Sequence, residues 1–171
     1  AKYDFGALTA SLALYQTKQP SAFTRPVDAS NPAGPLVFAL DGEQRNRGIE
    51  FSLDGEVTEG LRLIGGATLS EAKFRKTASG VNEGNDAIGV PDYTANANVE
   101  WDLPFLQDVT LTGRVVRTGE QKVNATNTLE IPAWTRFDLG VRYVTLLNEH
   151  AMTLRFNVDN VANKRYWASS Y

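Results

Sequence analysis

Strict alternation of apolar and polar residues is the feature that most constrains this chain. Between Tyr93 and Asp102, the odd positions carry Tyr, Ala, Ala, Val and Trp, and the even positions carry Thr, Asn, Asn, Glu and Asp. Successive side chains on a β-strand point to opposite faces, so this stretch predicts a strand with one apolar and one polar face. The pattern returns over residues 8–15, 36–57, 61–70, 109–115, 136–143 and 152–158.

These stretches predict an all-β fold without helices, in which each strand contributes to the same two faces of a sheet. Ile64 is an exception, because it is an apolar residue at a polar position. The predicted apolar face carries Leu12, Ile49, Leu63, Val99, Leu111, Val141 and Phe156. The predicted polar face carries Thr9, Glu50, Thr68, Asn98, Thr110, Arg142 and Arg155.

The lengths of the connections alternate along the chain. Long segments rich in Pro, Gly, Asn and Ser are predicted at 18–35, 76–92 and 119–132, and short turns at 58–60, 103–108 and 148–150. Residues 1–4 read as the end of an earlier strand, Asp4-Phe5-Gly6 as a tight turn, and Asp41-Gly42 as a bulge. The order predicts an antiparallel up-and-down meander with every long loop at one end, which is typical of outer-membrane barrels.

Composition restricts the possible functions without choosing between a soluble β domain and a membrane barrel. The chain has 171 residues and a net charge of -3, which argues against a nucleic-acid partner. It has no cysteine, which excludes disulfides and thiolate chemistry. No apolar run approaches the length of a transmembrane helix.

Several segments resemble one family in its own order along the chain. Residues 158–167 read V-x-N-V-x-N-K-x-Y-W, and 132–143 read P-x-x-x-x-x-D-L-G-x-R-Y. Residues 45–50 read R-x-x-G-x-E, and 60–72 read G-L-x-L-x-x-x-x-T-x-S-x-A. Together they resemble TonB-dependent outer-membrane receptors, the siderophore importers of Gram-negative bacteria, and most of all the ferric hydroxamate receptors.

The resemblance implies that residues 1–171 are the C-terminal part of a transmembrane β-barrel of about 22 strands. On this view the chain supplies about seven of those strands, the last strand of the barrel is missing, and the N-terminal plug domain is absent. The implied location is the bacterial outer membrane. The implied partners are a ferric siderophore, outer-membrane lipid, and TonB through the missing N-terminal region. A receptor of this kind catalyses no reaction.

A siderophore already holds its iron, so the resemblance implies no cofactor and no metal ligand from the protein. Such a receptor needs aromatic side chains for the apolar body of the ligand and cations or hydrogen-bond donors for its oxygens. We predict these residues on the long loops and at the rim. The candidates are Phe23 and Arg25 in the first long loop, Arg117 and Lys122 at the third, Trp134 at its exit, and Tyr166 and Trp167 in the last segment.

Two other interpretations stay open at this point. A soluble β-sandwich that binds carbohydrate would also have alternating strands, with the loop aromatics acting as a surface for sugar. An enzyme with two carboxylates is the weaker alternative, since Glu50, Asp54, Glu100 and Asp102 alternate with Ser, Thr and Asn as lumen-lining residues would. The only histidine, His150, falls in a short turn and is interpreted as a solvated residue.

Overall fold

Each alternating stretch of the sequence forms a strand in the computed structural model, which describes residues 1–4 and 6–170. Eight strands join in one antiparallel sheet in the order of the chain, as the meander prediction required. They are β1 (Lys2–Asp4), β2 (Leu8–Pro26), β3 (Leu36–Thr58), β4 (Leu61–Lys76), β5 (Tyr93–Asp102), β6 (Val109–Thr118), β9 (Trp134–Leu147) and β10 (His150–Val158). The short strands β7 (Gln121–Lys122) and β8 (Glu130–Ile131) pair as a separate hairpin.

The register places the alternating residues on two faces as predicted. Residues directly opposite in an antiparallel pair share a face. One row runs through Leu61, Trp101, Leu111, Val141 and Phe156, and these residues define the apolar face.

A neighbouring row runs through Asp102, Thr110, Arg142 and Arg155 on the polar face. Ile64 lies opposite Asn98 on this face and is the predicted exception.

The apolar face has no second layer of structure against it among the described residues. Phe156 is 66% exposed and Leu139 is 57% exposed. The buried apolar side chains of the described residues are limited to Ala72, Ala87, Ile131 and Trp134. A β-sandwich buries its inner face against a second sheet, so this geometry does not support the sandwich alternative.

Strands β2 and β3 extend beyond the sheet as a tall two-stranded ribbon, which corrects the first predicted loop. Pairing continues to Pro26 opposite Leu36, so the loop covers residues 27–35 and not 18–35. Pro20 and Pro26 lack a backbone N–H and therefore donate no ladder hydrogen bond within this ribbon. A register shift between Ser21 and Phe23 confirms the bulge near Asp41-Gly42.

The other connections have the predicted lengths. The second and third long loops cover residues 77–92 and 119–133, and the second contains a single 3-10 turn at Ala78–Gly80. Asn148 and Glu149 both have positive φ in the two-residue turn between β9 and β10, as a tight hairpin requires. Phe5, in the predicted turn after β1, lies outside the described residues.

The two loops hold each other through hydrogen bonds. The Asn127 Oδ1 accepts the Asp86 N–H at 2.7 Å, and its Nδ2 donates to the Asp86 carbonyl at 3.0 Å. The Gly89 N–H donates to the Lys122 carbonyl at 2.9 Å. We call this set of contacts the loop clasp.

Within the described part of the chain, no helix is long and apolar enough to cross a membrane.

Candidate functional site

A stacked aromatic pair lies at the long-loop end of the polar face. The rings of Trp134 and Tyr166 have centroids 4.0 Å apart and an interplanar angle of 20°. Trp134 is the first residue of β9, pairs with Thr118 on the polar face, and is 8% exposed. Tyr166 belongs to residues 159–170, the segment after β10 that forms no strand. The stack therefore joins this last segment to β9.

Backbone contacts fix the path of the last segment. The Asn160 N–H donates to the Asp138 Oδ1 at 2.8 Å, and the Val161 N–H donates to the Phe137 carbonyl at 2.8 Å. The Asn160 side chain accepts the Lys164 N–H at 2.8 Å and donates to its carbonyl at 3.0 Å. Asn160 has a positive φ, a conformation that asparagine tolerates better than most residues. These contacts place Tyr166 over Trp134.

Arg136 connects the aromatic pair to Asp138, the residue that accepts the Asn160 N–H. Its Nη1 donates to the Tyr166 hydroxyl oxygen at 3.2 Å, and its Nη2 donates to the Asp138 Oδ2 at 2.9 Å. Asp138 is 7% exposed and receives hydrogen bonds from both Arg136 and Asn160. Removing one partner of such a nearly buried carboxylate is costly, so Arg136 and Asp138 are expected to keep Tyr166 in place.

An open cleft of about 380 Å³ lies beside the aromatic pair. Its volume is within the range of small-molecule sites. Trp167 is 74% exposed and leaves its ring free for a ligand. The cleft therefore combines aromatic rings with positive charge. It is lined by Pro132, Ala133, Trp134, Lys164, Arg165, Tyr166 and Trp167.

Three of the predicted site residues meet in this cleft. Trp134, Tyr166 and Trp167 were predicted singly and lie together. Sequence reasoning missed Lys164 and Arg165, although both directly precede the predicted aromatics in the chain. Arg136 was also missed, because only the fold brings it to Tyr166.

Phe23 and Arg25 lie elsewhere, and in a different element from the one predicted. Both belong to β2 in the tall ribbon and not to a loop, because strand pairing continues past them. Arg25 donates from Nε to the Asp41 Oδ2 at 2.5 Å across the ribbon. Neither residue lines the cleft.

Arg117 and Lys122 also lie outside the cleft. Arg117 pairs with Ala95 on the apolar face, packs 5.7 Å from the centroid of the Tyr93 ring and donates to its hydroxyl at 3.1 Å. Lys122 lies in β7 and contacts the Glu130 carboxylate at 2.6 Å. This hydrogen bond and charge raise the pKa of Lys122. Both cations therefore already have partners in the protein.

The acidic residues of the polar face form ion pairs across the strands. Arg62 contacts Glu100 at 3.3 Å and Asp102 at 3.0 Å, and Arg142 contacts Glu100 at 3.4 Å. The Thr110 hydroxyl donates to Asp102 at 2.5 Å. This arrangement is that of a charged lining and gives no support to a catalytic carboxylate pair. Residues 1–4 and 6–170 contain no group of three or more His, Cys, Asp or Glu side chains placed to hold a metal ion.

An open meander with an exposed apolar face, a charged polar face and all its long loops at one end defines a section of an outer-membrane β-barrel. The family model for the TonB dependent receptor-like β-barrel matches residues 1–161. The chain belongs to this family of outer-membrane receptors. In barrels of this kind the apolar face of the strands meets lipid and the polar face meets the lumen, and the two faces are named the lipid face and the lumen face accordingly.

Two relatives within the family carry receptor names. The chain is 42% identical over 168 residues to the ferrichrome receptor FcuA of Yersinia enterocolitica, covering 98% of this chain and 21% of FcuA. It is 28% identical over 169 residues to the metal-pseudopaline receptor CntO of Pseudomonas aeruginosa, covering 97% of this chain and 23% of CntO. The chain thus spans about a fifth of the length of these curated relatives.

A solved structure supports the same fold. The chain aligns with BauA, the ferric preacinetobactin receptor of Acinetobacter baumannii, at a TM-score of 0.89 and 40% identity. The alignment covers 97% of this chain and 25% of BauA. The siderophore receptor PiuA of the same organism aligns with a TM-score of 0.78 at 24% identity, which shows the common fold.

Proposed function

We propose that this chain forms part of the wall and external rim of a receptor that imports ferric siderophores across the outer membrane, with TonB as its partner in transport. The aromatic and basic cleft around Trp134 and Tyr166 is the observation that carries this proposal. FcuA, CntO and BauA are each named as receptors for a metal complex, which is consistent with a ligand of this class.

The chemistry of the cleft fits a chelate better than a free ion. Aromatic rings cover the apolar part of a ligand, while cations and hydrogen-bond donors contact its oxygens. The iron arrives already coordinated by the siderophore, so the protein supplies no metal ligand and needs no cofactor. The role is binding and transport, and no catalysis is part of the proposal.

Ligand binding by the full-length protein tests the proposal. We expect ferric siderophores to quench its tryptophan fluorescence in detergent solution at micromolar concentration. Replacing Trp134 by Ala removes one ring of the Trp134–Tyr166 stack. The affinity for the ferric siderophore should then fall about tenfold or more, as for other buried aromatic contacts. Trp101 lies on the lipid face, so Trp101→Phe is a matched control that should leave the affinity unchanged.

The protein must also be folded for the comparison to count. Heat-dependent migration on a gel reports whether the barrel is intact in each variant. The proposed function is wrong if the folded wild-type protein binds no ferric siderophore, or if Trp134→Ala and Trp101→Phe behave alike.

A further inference from the structure

Basic side chains gather at the long-loop end of the lipid face. Residues opposite each other in neighbouring strands share a face, and Lys18 lies opposite Arg45, which lies opposite Lys73. Arg47 is the next residue of β3 on this face, and Arg117 is on the same face in β6. We call this group the basic belt. It consists of Lys18, Arg45, Arg47, Lys73 and Arg117.

The stagger of the strands brings the belt to one height. In a single row of paired residues, Leu61 lies beside the short turn at 58–60, whereas Val141 lies several residues above the last short turn. Within a row, later strands are therefore closer to the long-loop end, as the tilt of barrel strands requires. Arg117 belongs to a lower row than Arg47, and the stagger offsets this difference.

The belt borders the apolar part of the lipid face. Ile49 and Leu69 are the neighbouring outward residues of β3 and β4 toward the short turns, and both are exposed. Tyr93 lies opposite Leu69, and its ring centroid is 5.7 Å from the Arg117 guanidinium. Tyrosine is enriched where hydrocarbon meets the lipid headgroups. The belt therefore lies at headgroup height in the leaflet on the long-loop side.

Carboxylates neutralise the belt only in part. Glu71 is shared, because its carboxylate contacts Arg45 at 3.2 Å and Arg47 at 2.9 Å. Lys18 and Lys73 each have one carboxylate partner. The side chain of Arg47 is half exposed. One carboxylate between two guanidinium groups leaves an excess of positive charge on this surface.

Arg117 adds a cation whose partners carry no charge. It donates from Nε to the Tyr93 hydroxyl at 3.1 Å and from Nη1 to the Thr135 hydroxyl at 2.8 Å. No carboxylate within residues 1–4 and 6–170 forms an ion pair with it. A cation on a lipid-facing surface is stable where its long side chain reaches the headgroup layer.

The opposite end of the lipid face has a different composition. Toward the short turns, the outward positions of β9 and β10 carry Val141, Tyr143, Leu154 and Phe156, and no lysine or arginine. The outward positions of β5 carry no charged residue at all. Positive charge on the outer wall is thus confined to one leaflet.

We propose that the basic belt binds the phosphate of an anionic lipid headgroup in the outer leaflet, with the acyl chains on the apolar residues below it. The planar guanidinium groups of Arg47 and Arg117 present paired donors to phosphate oxygens. Clusters of basic residues at the membrane surface attract anionic lipids. The inference concerns the outer wall and is independent of the ligand that the receptor imports.

Quenching of a fluorophore beside the belt measures lipid binding locally. Full-length protein with a bimane label at Leu69→Cys is reconstituted in phosphatidylcholine vesicles, and brominated-chain phosphatidic acid or brominated-chain phosphatidylcholine is added as the quencher. We expect phosphatidic acid to bind there about fivefold more tightly or better, as for cations beside anionic headgroups. A label at Leu111→Cys, on the same face toward the short turns, is the matched control and should show no preference.

The double variant Arg47→Gln plus Arg117→Gln assigns the preference to the belt. In the protein labelled at residue 69, it should reduce the preference for phosphatidic acid to the level at residue 111. Arg114→Gln is the control, because Arg114 lies in the same strand as Arg117 but on the lumen face opposite Asn98. It should leave the preference at residue 69 unchanged.

Two measurements on the protein with both arginines keep the test decisive if the double variant does not fold. Added salt should weaken the preference at residue 69. Millimolar inorganic phosphate should not displace phosphatidic acid, because a free anion gains no contact for acyl chains. The inference is overturned if the two lipids quench equally at residue 69, if residue 111 shows the same preference, or if the double variant keeps it. Displacement by inorganic phosphate would identify a site for free anions and overturn the assignment to lipid.

Discussion

At the scale of single residues, close strand packing depends on where glycine lies. Gly48 in β3 lies opposite Tyr15 and Ser70. A methyl group added at Gly48 would overlap the backbone carbonyl oxygen of Leu69 and lie 2.7 Å from the Tyr15 hydroxyl. Backbone cannot move aside as a flexible side chain can. The contrast is Gly113 in β6, where the nearest atom is the Leu139 Cδ2 at an ordinary 3.8 Å.

We predict that Gly48→Ala lowers the free energy of unfolding by roughly 1–3 kcal/mol, the usual cost of overpacking. Gly113→Ala should change it by less than about 0.5 kcal/mol, because no neighbouring atom has to move. Urea unfolding of the full-length protein in lipid vesicles, followed by tryptophan emission, measures both. Equal stability of the two variants would contradict the tight contact at Gly48.

Some residues of the candidate site can be predicted from the sequence, whereas their contacts cannot. Trp134, Tyr166 and Trp167 were predicted because aromatics on long loops and at the rim suit a ligand with an apolar body, and the structure brings them to one cleft. The donation from Arg136 to Tyr166 joins residues 30 positions apart, so local patterns carry no sign of it. Arg117 was predicted from its charge and its place at the third long loop, but its odd position in β6 puts it on the apolar face.

At the scale of elements, the strands were predicted well because alternation is a local signal. The first long loop was the exception. Its prolines suggested irregular structure, but pairing of β2 with β3 continues from Pro20 opposite Glu43 to Pro26 opposite Leu36. The loop clasp was not predicted either, since it depends on an asparagine side chain that pairs with the backbone of another loop.

We predict that the clasp makes the second and third long loops move as one unit, and that Asn127→Ala separates them. The substitution removes both hydrogen bonds to Asp86 and leaves its backbone amide without that partner, at a local cost of about 1–3 kcal/mol. Amide hydrogen exchange over residues 85–89 should then become faster in the full-length protein. Ser30→Ala is the control, because Ser30 bonds to Asp28 in the first loop and touches neither partner. Unchanged exchange in Asn127→Ala would mean that the loops are held by other contacts.

At the scale of the whole molecule, one sheet separates two environments. The lumen side carries ion pairs such as Arg62 with Asp102, whereas the lipid side presents large exposed apolar residues such as Phe156 and Leu139. Such an apolar surface is far larger than soluble monomers usually expose. The fold therefore needs an apolar medium on one side and water or a polar partner on the other, which is the physical reason for the alternation in the sequence.

Adjacent positions in β5 give the sharpest test of this arrangement. Val99 lies opposite Leu63 and Gly113 on the lipid face, and Asn98 lies opposite Ile64 and Arg114 on the lumen face. Spin labels attached at Val99→Cys and at Asn98→Cys occupy nearly the same depth in the membrane, so only the face differs between them. We predict that oxygen, which dissolves in lipid, relaxes the label at 99 much more strongly, and that a water-soluble nickel complex favours 98. Because a slip of one residue moves every side chain of a strand to the other face, the reverse result would overturn the register of β5, and equal accessibility would overturn the assignment of lipid and lumen faces.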